Sequence, residues 1–113
     1  MAKYLKEKKK VVGEAMSDEY LIGRCQAGEL HYFNILVERH QGQVRRTALR
    51  VLRNFHDAED VSQEVFLRAY RALGRFKSEC KIATWLTRIT INASLNFIRS
   101  RRNENLLNVE DDS

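Results

Sequence analysis

Five residues near the C-terminal end of the sequence stand at spacings of 3, 4, 4 and 3: Trp85, Arg88, Asn92, Asn96 and Arg99. At 100° per residue that spacing gathers them on one narrow helical face. Their side chains suit a common chemistry: a guanidinium binds phosphate, a carboxamide reads a base edge, and an indole stacks on a base. The flanking segment supplies charge, because residues 75–102 hold seven Lys and Arg against the single acid Glu79. Within it Phe76 and Ile82 bracket the polar Lys77, Ser78 and Glu79, with Lys81 beside them, a composition able to line a small pocket. The same residues also permit a plainer reading, a solvated basic face with Trp85 in the core. Nothing in these spacings separates DNA from RNA.

A second set lies upstream. Asp60, Gln63, Glu64, Leu67 and Arg71 fall together on a helix, opposite an apolar stripe of Ala58, Val61, Val65, Ala69, Ala72 and Leu73. A leucine amid groups able to pair across a contact describes an interface. It equally describes an acidic first turn that stabilises its own helix, with Glu64 paired to Arg68 four residues on and Leu67 exposed without consequence.

The elements that must hold these residues are helices. Proline is absent from all 113 residues and glycine occurs five times, so turns are scarce and helices are the simplest way to pair the backbone. Ser17 is an N-cap followed by Asp18 and Glu19, opening a short helix that Gly28 stops. A long helix follows over 29–53, its apolar positions Phe33, Leu36, Val37, Val44, Ala48, Val51 and Leu52 recurring at helical spacing. Asp57 is expected to cap a third helix, with Asp60 at its N3 position, that ends at Gly74. A loop over 74–82 leads to a last helix over 83–101. On that helix Leu86, Ile89, Ala93 and Phe97 form one apolar stripe and Ile91, Leu95 and Ile98 another, which predicts burial on two sides. The expected fold is all-α, a compact bundle of about four helices over residues 17–102. Residues 1–16 form a basic arm around Lys6, Lys8, Lys9 and Lys10, and residues 103–113 an acidic linker or tail.

Charge and composition exclude several classes of function. All 20 Lys and Arg but only 11 of the 15 Asp and Glu lie within residues 1–102, a net of +9 that favours an acidic partner, nucleic acid before anionic membrane. No apolar run reaches the ~20 residues of a membrane span, and no secretory signal opens the chain, so no membrane association and a cytoplasmic location are expected. Cys25 and Cys80 stand apart without a CxxC or a neighbouring His at zinc spacing, which predicts two reduced thiols and no metal. His31, His40 and His56 are scattered, and HExxH, GxSxG and phosphate-loop motifs are missing. No catalytic constellation and no cofactor are expected, so the chain does not read as an enzyme.

Two segments carry a family resemblance. DAEDVSQEVFLRAYRALGRFK, from Asp57 to Lys77, and TWLTRITINASLNFIRSRR, from Thr84 to Arg102, resemble domain 2 of the extracytoplasmic-function (ECF) sigma factors of bacterial RNA polymerase. LIGRCQAGELHYFNILVERHQGQV is similar to the family's opening helices, and about 80 of the 113 residues are covered in all. The resemblance implies a transcription initiation module. Asp60, Gln63, Glu64 and Leu67 would then dock on the clamp coiled coil of the β′ subunit of the polymerase core. The last helix and its preceding loop would melt the promoter minus-ten element and capture bases of the non-template strand. Phe76, Ile89, Asn92 and Asn96 would line or flank the capture site, and Lys77, Lys81, Arg88 and Arg99 would hold backbone phosphates. An anti-sigma factor is an implied partner.

Family members continue into a second helical domain with a helix-turn-helix, whereas this chain ends in an acidic segment, and it is expected to be a fragment. Cys80 also departs from the family, since it lies where a small polar residue is usual. Two other classes remain open on the sequence. One is a helical adaptor or regulator whose basic surface is incidental; the other is a general RNA-binding bundle that prefers RNA through the 2′-hydroxyl.

Overall fold

The structure, a computed structural model, describes residues 16–111, those beyond 106 as backbone alone. The basic arm therefore lies outside the described residues. Four α-helices follow one another: α1 (Asp18–Gln26), α2 (Phe33–Leu52), α3 (Phe55–Ala72) and α4 (Ile82–Asp111). Two 3₁₀ turns join them, Leu30–Tyr32 before α2 and Leu73–Arg75 after α3.

Local chemistry sets most of the boundaries. Ser17 Oγ accepts the Tyr20 N–H at 3.1 Å and so satisfies one open donor of the first turn of α1. The helix unwinds where Gly28 takes φ +99°, a conformation that a side chain would strain. α2 ends at Arg53, left-handed at φ 54°, whose N–H returns to Leu49 O at 2.8 Å. The chain then turns at once. Asn54, not Asp57, caps α3, its Oδ1 accepting the Asp57 N–H at 2.9 Å. That moves Asp57 to N3 and frees its carboxylate to meet Arg101 Nη1 at 3.1 Å, tying the start of α3 to α4.

Other boundaries differ from the sequence reading in instructive ways. The opening of the expected second helix, from residue 29, is a 3₁₀ turn, and α2 proper starts at Phe33. Gly74 lies inside the second 3₁₀ turn instead of terminating α3 by a left-handed residue. α4 does not stop at Arg101 but continues to Asp111. No glycine or proline interrupts residues 82–111, so the sequence carries no signal that ends it.

Three helices enclose the core. α2 contributes Leu36, Val44 and Ala48; α3 contributes Ala58, Val61, Val65 and Ala69; α4 contributes Leu86 and Ala93. α1 covers one end with Leu21, Ile22 and Cys25. The direction of packing follows from side-chain partners. Gln43 meets Ala83 and Thr87 while Leu52 shares a groove with Phe97 and Ile98, so α2 and α4 run parallel. Asp57 meets Arg101, so α3 runs antiparallel to both.

α4 buries one broad side, with Thr90 and Ser94 fully enclosed beside Leu86 and Ala93 and with Ile89 and Phe97 packed against that core. The second apolar stripe is not buried. Ile91 and Leu95 are each 39% exposed and Ile98 is similar, because α2 and α3 both meet α4 on the same side.

Candidate nucleic-acid interface and docking face

The segment from Leu73 to Ile82 and the first turns of α4 form a cleft of about 490 Å³, lined by Arg75, Phe76, Lys77, Glu79, Cys80, Trp85 and Arg88. Its apolar wall is a pair of rings. Phe76 and Trp85 lie 4.9 Å apart at an interplanar angle of 51°. Phe76 is only 8% exposed, so it is both a core residue and the wall of the cleft, while Trp85 is half-buried against the same core. Three of the lining residues, Arg75, Lys77 and Arg88, are cations, against Glu79.

Other predicted residues continue from this cleft along α4. Asn92, Asn96 and Arg99 are exposed on the face that Trp85 and Arg88 begin, and Ile89 is half-buried beside them. Arg99 Nη1 lies 3.4 Å from Asn96 Oδ1, a long contact that leaves the carboxamide accessible. From Trp85 to Asn96 the helix rises about 16 Å. Ser78 and Lys81 are exposed on the same loop without lining the cleft. Glu79 lines it as the loop composition suggested, whereas Arg75 and Cys80 line it without having been assigned a site role from the sequence. The charge count over 75–102 held the only signal for Arg75.

The acidic face of α3 is exposed as predicted. Leu67 is 51% exposed, Asp60 and Gln63 are exposed, and Glu64 accepts from Arg68 Nε at 3.1 Å. Two grooves flank this face. One, of about 790 Å³, runs between α2 and α3 and joins Gln63 and Leu67 to Leu30, Phe33, Val37, Phe66 and Tyr70. Phe33 and Tyr70 close it with an edge-to-face contact of 5.3 Å. Sequence reasoning missed these aromatic partners, since Phe33 counted as core and Tyr70 fell outside both stripes. The other groove lies between α3 and α4 and brings Asp60 and Glu64 to the same depression as Asn96 and Ser100. The two predicted surfaces therefore meet at Asn96.

Several ion pairs fasten the frame. Asp18 Oδ1 receives Arg39 Nη1 at 2.8 Å and its Oδ2 faces the ring Nε2 of buried His40 at 3.1 Å, which ties α1 to α2. Partial burial pushes the Asp18 carboxyl up, but the hydrogen bonds from Arg39 and His40 outweigh it and hold the group below the ordinary carboxylate value. Arg24 pairs with Glu29 across the bend after α1. Arg45 Nε meets Glu59 Oε2 at 3.0 Å across the α2–α3 groove. Burial raises the Cys25 thiol, and Cys80 is half-buried in the cleft wall. Among the described residues no cluster of His, Cys, Asp or Glu has the makings of a metal site, and no helix is long and apolar enough to cross a membrane.

Comparison with known proteins agrees with this architecture. Residues 36–104 match the Sigma-70 region 2 family. The chain is 38% identical over 84 residues to the RNA polymerase sigma-H factor of Pseudomonas aeruginosa, covering 74% of this chain and 44% of that protein. It is 40% identical over 91 residues to the ECF RNA polymerase sigma-E factor of Haemophilus influenzae (80% and 47% covered), and 38% identical over 87 residues to that of Escherichia coli (77% and 45%). An engineered region 2 of sigmaE, solved by NMR in complex with GTAAAA, superposes with a TM-score of 0.76 at 37% identity, covering 80% of this chain and 95% of that one. The chain belongs to the Sigma-70 region 2 family, and the relatives it matches include ECF RNA polymerase sigma-E factors. It spans about half the length of these curated relatives.

Proposed function

We propose that this chain binds the core of bacterial RNA polymerase through α3 and reads the promoter minus-ten element by holding non-template bases in the Phe76–Trp85 cleft and along α4. The observation that carries this reading is the cleft. It sets an aromatic wall against three cations at the start of a helical face bearing exposed carboxamides, in a chain similar to a domain solved in complex with GTAAAA. The cleft suits one unstacked base, and the ~16 Å from Trp85 to Asn96 leaves room for several nucleotides at ~3.4 Å or more each.

The roles follow from chemistry. Trp85 and Phe76 offer apolar surface to a base, while Ile89, Asn92 and Asn96 lie where following bases pass. Arg75, Lys77, Lys81, Arg88 and Arg99 neutralise phosphates and hold the strand without choosing its sequence. Ser78, exposed on the loop, supplies a hydroxyl to the same strand. On the adjoining face of α3, Asp60, Gln63, Glu64 and Leu67 dock on the clamp coiled coil of β′, whose apolar residues enter the α2–α3 groove beside Tyr70. An anti-sigma factor that covered that groove would keep the module from polymerase. Residues 17–102 form the working unit, and it acts in the cytoplasm.

Trp85 is the sole tryptophan, so its emission reports directly on the cleft. Titration with single-stranded GTAAAA, a scrambled hexamer and the GTAAAA duplex over a salt series tests the reading. The expected order is GTAAAA first, with a log-log salt slope no steeper than about −3.5 for five cations at ~0.7 each. Equal binding of all three would return the chain to the adaptor class, and tighter binding of the RNA counterpart GUAAAA in a parallel titration would make it an RNA binder.

A further inference from the structure

The loop that forms the cleft has little structure of its own. Phe76 N–H reaches back to Leu73 O at 3.1 Å, and Glu79 N–H turns to Lys77 O. Two glutamines far away in sequence support its ends. Gln26, the last residue of α1, places Nε2 at 3.0 Å from Leu73 O and 2.9 Å from Phe76 O. Gln43, midway along α2, places Nε2 at 2.9 Å from Ala83 O and 2.7 Å from Thr87 Oγ1. Carbonyl oxygens only accept, which fixes the orientation of both amides, and each NH₂ group spends its two hydrogens on two loop or helix acceptors. The Thr87 hydroxyl accepts from Gln43 and donates to Ala83 O at 2.9 Å, which closes the second network.

We propose that Gln26 and Gln43 are positioning residues that clamp the two ends of the capture loop and so set its base preference without touching the nucleic acid. This rests on the reading of the cleft given above. Neither glutamine lines the cleft. Each holds backbone next to a residue that forms it. The Phe76 carbonyl belongs to the ring that makes the apolar wall, and Ala83 and Thr87 flank Trp85 on α4. Releasing Phe76 O lets the Phe76 ring slide over Trp85, and releasing Ala83 O loosens the first turn from which Trp85 projects. The partners are 40 to 50 residues apart in sequence, so each clamp ties this segment to another helix, which the local bonds from Phe76 N–H to Leu73 O and from Thr87 Oγ1 to Ala83 O do not do. Gln26 itself sits at the surface, where its loss opens no core cavity.

The test uses the full chain with Gln26→Met and Gln43→Met, unbranched replacements of similar length that donate nothing. Four quantities are read: helical melting by circular dichroism, acrylamide quenching of Trp85, affinity for GTAAAA against a scrambled hexamer, and the salt slope of each. The clamp predicts a folded helical domain, readier quenching of Trp85, an unchanged salt slope, and a cognate-to-scrambled ratio reduced roughly five- to tenfold. A purely structural brace would lower the melting temperature and leave the ratio and the quenching of the folded protein alone, and that result overturns the proposal. Loss of the fold in either variant overturns it as well, because such a residue supports the bundle and not the loop. If the wild-type protein shows no preference between hexamers, the minus-ten reading fails. The quenching comparison still decides the clamp in that case: a rise sustains loop positioning and no change ends it.

Discussion

The α2–α3 groove and the Phe76–Trp85 cleft are built by different means. The groove lies between two regular helices whose own backbones are fully bonded, so its shape follows from which side chains project: Phe33, Phe66, Leu67 and Tyr70. The cleft joins an irregular loop to the first turns of α4, with side-chain amides holding Leu73 and Phe76 on one side and Ala83 and Thr87 on the other, so its shape also depends on a few hydrogen bonds over long sequence separations. One surface tolerates changes to its frame and answers to changes in its lining. The other answers to both. On the function proposed above, a face that grips one partner would suit the first design, and a loop that admits one base and refuses others would suit the second.

The strongest way to break this comparison is at the docking face. Leu67→Glu or Glu64→Lys is expected to weaken binding to the β′ clamp helices by ~2 to 5 kcal/mol, as loss of a buried interfacial contact does, with hexamer binding unchanged. A pull-down beside a Trp85 titration checks both halves, and parallel losses in the two assays would show that the surfaces are one unit.

Next in size is base choice on α4. Asn96→Ala should reduce the preference for GTAAAA over a scrambled strand by ~1 to 3 kcal/mol. Asn96 is a cleaner probe than Phe76, because Phe76→Ala would also empty part of the core at a cost of ~3 to 5 kcal/mol. Since Asn96 shares a groove with Asp60 and Glu64, the same variant measured against the β′ helices shows how far docking and reading are coupled.

Smaller again is a single phosphate contact. Lys77→Ala should weaken all hexamers alike by under ~1 kcal/mol at moderate salt and reduce the salt slope by ~0.7. A sequence-dependent loss would place Lys77 among the base readers.

The smallest effect sharpens the contrast from the frame side. Asp18 is held below the ordinary carboxylate value by Arg39 and His40, so the stability it contributes is present above the unfolded value, ~3.9, and is lost as pH falls through the lower folded value. Asp18→Asn should cost ~1 kcal/mol near neutral pH, and the gap between the two proteins should begin to narrow at about pH 4 and close as pH falls through the lower folded value. Urea melts at pH 7 and pH 3 would read it, and a gap that persists in acid would assign the stabilisation to packing of α1.

Much of this fold was legible before any coordinates. Ser17 and Gly28 bounded α1 correctly because capping and left-handed glycine act within a few residues. Of the apolar stripe, Ala58, Val61, Val65 and Ala69 became the buried face of α3, Leu73 is buried on the turn that follows and Ala72 is half-buried, while the opposite face carries exposed Asp60, Gln63 and Leu67 with Glu64 paired to Arg68. The cap of α3 was misplaced because Asn54 and Asp57 are both good capping residues, and only the left-handed turn at Arg53 selects between them. The extent of α4 was underestimated because acidic composition resembles a tail but contains nothing that stops a helix.

What the sequence determined by itself is helix content, order, the side-chain sets on each face and the family, all of which depend on short-range spacing or on motif. Only the tertiary structure decided which faces are covered. Ile91, Leu95 and Ile98 are as apolar as Leu86 and Ala93, yet they remain half open, because burial is a relation between elements and α2 and α3 approach α4 from one side. For the same reason Asn96 faces Asp60 and Glu64, and Gln26 and Gln43 reach a loop 40 to 50 residues away. A glutamine in the sequence announces an amide; the crossing of helices supplies the carbonyls it holds.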